Sequence, residues 1–181
     1  MNAARALVFL LIGYAALLTE GALAFLLPSG RTLFAVPELA LAVVIYLGLC
    51  GRGGGPGLVA VALSLGYLRD LFLGAPRGVE ALAFAIVALC ARAMHGRVFL
   101  ERFGQLASVA AAMSLLHAFL VVTLGAGDAP LVASLRPLPG LFIAAILVGP
   151  IALRVLRRVD LRLVPESRAI SLEGDRGGAW R

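Results

Sequence analysis

Six long apolar runs fill most of this chain, and short segments rich in glycine, proline or arginine separate them. A helix needs about 20 mostly apolar residues to cross a bilayer, and each run comes close to that length. The runs cover residues 6–27, 33–50, 57–75, 78–94, 103–124 and 138–153. Helix-breaking residues such as Pro28, Gly53, Pro76 and Gly127 lie between them. The pattern therefore predicts six transmembrane helices.

The composition excludes an ordinary soluble protein. Hydrophobic residues make up 61% of the 181 residues and charged residues 14%, whereas soluble domains contain about 45–50% and about 25%. The predicted fold class is an all-α integral membrane protein, a six-transmembrane-helix bundle. Residues 1–153 are expected to form the transmembrane domain, and residues 154–181 a polar cytoplasmic tail that is partly disordered.

The distribution of arginine predicts the orientation of the helices. All 16 basic residues are Arg, and the net charge is +6. With the N-terminus inside, the cytoplasmic segments hold Arg5, Arg52, Arg92, Arg97, Arg102, Arg154, Arg157, Arg158 and Arg162, whereas the outer loops hold only Arg31, Arg77 and Arg136. Both termini are therefore expected in the cytoplasm. Because the charge lies in short gaps rather than on one patch, nucleic-acid binding is not predicted.

Three arginines directly after the sixth run, Arg154, Arg157 and Arg158, form the main basic group of the predicted tail. We expect them to contact anionic lipids, at about 1 kcal/mol for each Arg. The alternative is a docking site for a cytoplasmic partner.

The first run has a second interpretation. Arg5, the apolar stretch and Ala22-Leu23-Ala24 imitate a secretory signal peptide with its cleavage site. The run continues through Phe25, Leu26 and Leu27, which favours a retained helix.

Charged residues within the apolar runs are costly and need a structural or functional reason. In the predicted topology they all lie near the outer ends of their helices, and the inner half of the membrane contains no acidic residue. They are Glu20, Glu38, Arg69, Asp70, Arg77 and Glu80. We interpret Glu20 and Arg77 as packing or snorkelling side chains. Since adjacent helical residues point about 100° apart, Arg69 and Asp70 need partners on other helices, and Glu38 or Glu80 are the candidates for Arg69.

No catalytic, cofactor or metal motif emerges from the sequence. His117 lies in the middle of the fifth run, one turn after Ser114, and is interpreted as a hydrogen-bonded packing residue. Ser64 with His117 is a formal candidate for an intramembrane serine protease, but the elbow around Ser64 lacks its first glycine. The prediction is a protein that is not an enzyme and holds no cofactor or metal.

Small residues recur four apart, a spacing that lets helices approach closely in lipid. The pairs are Ala60 with Ser64, Ala62 with Gly66, Ala107 with Ala111, and Ala110 with Ser114. Chance in an alanine-rich chain is the alternative explanation.

Two segments resemble the rod shape-determining MreD family. The second run begins Pro37-Glu38, similar to the proline-acidic start of that family's second helix. Residues 66–78 then resemble its G-x-x-x-D-x-x-x-G-x-P-x-G pattern, with Gly66, Asp70, Gly74, Pro76 and Gly78 at the named positions. Glu38 stands where the family is expected to have Asp, and Arg69 before the Asp is a second departure.

The resemblance implies a non-catalytic scaffold of bacterial cell-wall elongation in the cytoplasmic (inner) membrane. The implied partner is the bitopic protein MreC, with MreB, RodZ, RodA and its transpeptidase as further members of the machinery. Under this hypothesis Asp70, with Glu38, Arg69 and Glu80, ties the helices into one outward surface that receives MreC, or else serves essential packing.

The same resemblance supplies an alternative, because the family is similar in fold to the vitamin-binding S components of energy-coupling-factor transporters. Those components show an A-x-x-x-A patch in the first helix for docking the coupling subunit. Here Ala15 pairs with Thr19 and Ala16 with Glu20, so the patch is absent or degraded. This difference favours the scaffold.

Overall fold

A computed structural model describes residues 3–26, 38–50, 55–73, 78–96, 103–125 and 138–163. Each of these segments contains one helix: α1 (Ala3–Leu26), α2 (Leu39–Cys50), α3 (Gly55–Leu73), α4 (Val79–Ala93), α5 (Phe103–Gly125) and α6 (Leu138–Leu163). The described part of the chain is thus all-helical, with six helices, as the apolar runs predicted.

Three of the helices are long and apolar enough to cross a membrane. The qualifying stretches are Ala3–Leu23, Phe103–Gly125 and Gly140–Arg162. Helix α2 is apolar but has 12 residues, which gives a length of about 18 Å. Predicted residues 33–37 of the second run, which would lengthen it, lie outside the described residues.

Helix α2 lies at the centre of the bundle and contacts each of the other five helices. All residues from Ala40 to Leu49 are buried. A helix that is apolar on every side can only be stable when neighbours or lipid cover it completely. Phe9 and Leu17 of α1 join the same core, and the Phe9 ring stacks on Tyr46 of α2 at a centroid distance of 5.7 Å.

Glycines permit two of the close helix contacts. A Cβ atom at Gly48 would lie 2.9 Å from the Ala88 carbonyl oxygen, so α2 and α4 approach there at backbone distance. A Cβ atom at Gly149 would lie 2.6 Å from Ala110 Cβ, between α6 and α5. The predicted small-residue spacing is therefore used at Ala110. It is not used at Ala60 and Ser64, which are exposed.

The last helix extends beyond the predicted end of the sixth run. It does not end at residue 153 but continues to Leu163 through the three arginines assigned to the tail. Leu153, Leu156 and Asp160 are buried along one face of this extension, and Arg154 and Arg158 are exposed on the other. The extension is thus an amphipathic helix packed on the bundle. The guanidinium of Arg154 lies 5.2 Å from the centre of the Phe103 ring of α5.

The start of α3 also differs from the prediction. The sequence places Gly55 and Pro56 in a helix-breaking loop, whereas the structure begins α3 at Gly55. Proline is tolerated in the first turn because the amide it lacks would have no partner within the helix.

Candidate functional site

Charged side chains of α2, α3 and α4 meet where α2 and α4 begin and α3 approaches its end. Arg69 Nη2 lies 3.0 Å from Glu38 Oε1, and Arg69 Nε lies 3.8 Å from Glu80 Oε1. The three side chains are only 14%, 9% and 5% exposed, in the order Arg69, Glu38, Glu80. The structure thus confirms that Arg69 has its partners on other helices, and it contacts both predicted candidates.

His117 of α5 joins this group and is 2% exposed. Its Nε2 lies 2.8 Å from Glu80 Oε2, and its Nδ1 lies 3.2 Å from Glu38 Oε1. Its ring packs on Phe84 in a T-shaped arrangement, with the two centroids 5.3 Å apart. We call Glu38, Arg69, Glu80 and His117 the ionic cluster. It joins four helices, and the sequence analysis had assigned its histidine to packing alone.

Asp70 finds its partners on another helix, as the sequence predicted, but they are backbone groups. It is 1% exposed, and its Oδ2 and Oδ1 accept hydrogen bonds from the backbone amides of Gly78 at 2.8 Å and Glu80 at 3.0 Å. Its described partners are therefore the free N–H groups at the start of α4, not a basic side chain. A carboxylate here satisfies orphan amides and complements the positive end of the helix dipole.

Glu20 acts in the same way on a second helix. Its Oε1 accepts a hydrogen bond of 2.7 Å from the amide of Ala40, in the first turn of α2. The packing interpretation of Glu20 is therefore supported, although its bond is to the backbone. Arg77, interpreted with it, lies outside the described residues.

Two of the motif residues build the joint between α3 and α4. At Gly66 a Cβ atom would lie 2.6 Å from the Glu80 carbonyl oxygen and 2.7 Å from the Ala81 amide nitrogen, so the two backbones touch. Gly78 precedes α4 with a φ of 98°, a left-handed conformation that glycine adopts without strain. The other motif residues, Pro37, Gly74 and Pro76, lie outside the described residues.

Removing the Asp70 carboxylate is expected to destabilise this joint. Asp70→Ala removes the acceptor of three backbone amides, those of Gly78, Glu80 and Ala81, which should cost about 2 kcal/mol of folding free energy. Asp70→Asn keeps one acceptor oxygen and should lose less. Thermal melting in detergent measures the order wild type, Asn, Ala, and equal stability of all three proteins would contradict the capping role.

A cavity of about 20 Å³ lies between α2, α5 and α6. Its lining includes Glu38, Ser114 and small residues of α6 such as Ala145 and Gly149. The second oxygen of Glu38, Oε2, is buried and has no hydrogen-bond partner among the residues that the structure describes. The space is enough for about one water molecule.

A second buried polar group lies near the other end of α2. Asp160 Oδ2 accepts hydrogen bonds from Arg5 Nη2 at 2.8 Å and from the Tyr46 hydroxyl at 2.9 Å, and thereby links α6, α1 and α2. Asp160 is 2% exposed, whereas the sequence analysis placed it in the tail. A buried acidic residue therefore also lies at the end of the bundle opposite the ionic cluster.

The ionic cluster is a group of opposite charges in close contact. Within the described ranges, no three His, Cys, Asp or Glu side chains are placed to hold a metal ion. Ser64, the formal nucleophile candidate, is exposed and donates its hydroxyl to the Ala60 carbonyl at 2.8 Å, whereas His117 is bound to two glutamates. The structure does not bring the serine and histidine together as a bonded pair.

Comparison of the chain with protein-family models, with curated protein sequences and with solved structures finds no match.

Proposed function

We propose that this protein is a non-catalytic scaffold of the cell-wall elongation machinery in the bacterial inner membrane, with an MreD-like role in maintaining rod shape. The observation that carries the proposal is the use of the MreD-like motif. Gly66, Asp70 and Gly78 all contribute to one joint between α3 and α4. Residues of a reaction site would instead face a cleft, so the motif supports a role in holding a surface in shape.

The proposal includes a membrane topology of six spans with both termini in the cytoplasm. Three helices have the required length and composition, and the arginine asymmetry supplies the orientation. Alkaline phosphatase, which is active only outside the cytoplasm, should be inactive when fused after residue 181. It should be active when inserted within residues 128–135. The reverse pattern would overturn the orientation.

The surface proposed for the partner MreC lies next to the α3–α4 joint. Asp70 and Glu80 are buried and cannot contact a partner directly. On the outside of α3, Tyr67 and Phe72 are 47% and 57% exposed, and Phe72 lies against Tyr14 of α1 at a centroid distance of 6.3 Å. Exposed aromatic side chains on a fixed helix pair suit the single membrane helix of a bitopic protein.

The test is co-purification of tagged protein with MreC in mild detergent. Replacing Tyr67 and Phe72 together by Ala should reduce recovered MreC several-fold while the protein still inserts. Phe119→Ala is the matched control, because Phe119 of α5 is 65% exposed and also aromatic. Equal recovery from both variants would reject this face, and absence of MreC from the wild-type sample would reject the function.

The alternative, a vitamin-binding S component, gains less support. The cavity beside Glu38 holds about 20 Å³, whereas pockets for drug-sized ligands measure about 300–1,000 Å³. At the degraded docking patch of α1, Thr19 bonds back to its own helix and Glu20 bonds to α2. Recovery of an ATPase pair instead of MreC in the same purification would favour this alternative.

A further inference from the structure

Both ring nitrogens of His117 face carboxylates. Nε2 lies 2.8 Å from Glu80 Oε2 in a hydrogen bond. Since an ionised carboxylate only accepts, Nε2 must carry a hydrogen. Nδ1 lies 3.2 Å from Glu38 Oε1, although the direction is too oblique for a hydrogen bond. A lone pair on Nδ1 would lie close to an anionic oxygen in a buried site and be repelled by it, whereas an N–H there is attracted to it.

The balance of buried charge leads to the same protonation state. Glu38 and Glu80 carry two negative charges, and Arg69 supplies one positive charge. The nearby carboxylates of Glu20 and Asp70 are compensated by the N-terminal ends of α2 and α4. These five charged residues come from α1, the start of α2, α3 and α4. The residues of α6 that line the adjoining cavity are apolar. Among the described residues, a neutral His117 would leave one buried negative charge unpaired, which is strongly unfavourable.

We propose that the ionic cluster is a proton-binding site in which His117 is held as the imidazolium ion. The bound proton comes from solvent. Its transfer breaks only the bond between the proton and a water molecule. The proton on Nδ1 attracts Glu38 at the start of α2, while Nε2–H bonds Glu80 of α4, so the imidazolium links α5 to both helices. The proposal is independent of the proposed function, because it concerns the state of the cluster and not its partner.

Nuclear magnetic resonance of ¹⁵N-histidine-labelled protein in detergent tests the proposal directly. The chain contains two histidines. A His95→Gln background leaves His117 as the only labelled ring, and His95 lies at the other end of α4, where its Nδ1 contacts the Leu49 carbonyl oxygen. At pH 7.5 we expect both ring nitrogens of His117 to carry a hydrogen. A ring with one protonated nitrogen and one lone pair would overturn the proposal.

Isosteric variants test which carboxylates hold the proton. Glu38→Gln and Glu80→Gln each remove a negative charge with little change of shape, so the fraction of imidazolium at pH 7.5 should fall in both. Gln105→Glu, which adds a carboxylate near the start of α5, serves as the control and should leave the His117 signals unchanged. An unaltered imidazolium fraction in both glutamine variants would overturn the assignment, and the wild-type spectrum remains decisive if either variant fails to fold.

Discussion

Gly66→Ala is expected to lower the melting temperature of the detergent-solubilised protein by about 10 °C. The added methyl group would lie 2.6 Å from the Glu80 carbonyl oxygen and 2.7 Å from the Ala81 amide nitrogen. These are backbone atoms, so the clash cannot be relieved by a rotamer change, and α3 and α4 must move apart. Overpacking costs about 1–3 kcal/mol of folding free energy. In a chain of this size, each kcal/mol lost lowers the melting temperature by about 2–4 °C. The expected shift lies at the upper end because the Asp70 bonds to α4 are strained by the same movement.

The matched control is Gly104→Ala in α5. No atom outside the helix backbone lies within 4 Å of a Cβ atom built at Gly104. Alanine there should leave the melting temperature unchanged or raise it slightly, because glycine is a poor helix former by about 0.8–1.0 kcal/mol. Gly21→Ala in α1 has the same open surroundings and the same expectation. If Gly66→Ala behaves like these two substitutions, the α3–α4 contact is wrong.

The apolar runs were sufficient to predict the helices because length and hydrophobicity are local properties of the chain. Five of the six predicted runs match the structure to within a few residues over the described residues. The sixth run was ended too early because arginines begin at residue 154. Leu153, Leu156 and Asp160 recur at helical spacing and share the buried face, so the periodicity rather than the charge was the better indicator.

Partners across helices could be predicted only where the choice was small. Arg69 had two acidic candidates near the same end of the bundle, and it contacts both. His117 was missed because its depth relative to Glu80 depends on how α5 slides along α4, which no local pattern encodes. The bond between Arg5 and Asp160 spans 155 positions in the sequence, and the assignment of Asp160 to the tail concealed it.

The sequence predicted that Asp70 has a partner on another helix, but it did not predict the kind of partner. A charge within a membrane span is costly unless it is paired. The start of α4 supplies amide hydrogens and the positive end of a helix dipole instead. Only four residues lie between the end of α3 and Gly78, and a glycine before a helix start after such a short connection is the signal that indicated capping.

Arg69→Leu is expected to have the largest effect of any single substitution in the ionic cluster. It leaves two glutamates, 9% and 5% exposed, with His117 as the only basic member of the cluster. Breaking a buried ion pair by removing one partner costs about 3–5 kcal/mol. We therefore expect a fall in melting temperature of about 10 °C or more. Arg158→Leu is the control, because Arg158 is exposed on α6 and a surface substitution usually changes stability by less than about 0.5 kcal/mol.

A second substitution distinguishes the effect of an unpaired buried charge from the effect of lost packing. Arg69→Leu combined with Glu38→Gln removes a cation and an anion together, so the double variant should be more stable than Arg69→Leu alone. Loss of packing around the guanidinium, which lies 5.7 Å from the centre of the Phe84 ring, would persist in both proteins. A double variant that is less stable than the single one would therefore show that Arg69 acts through packing. Recovery of stability shows that its charge is what holds α3 to α2 and α4.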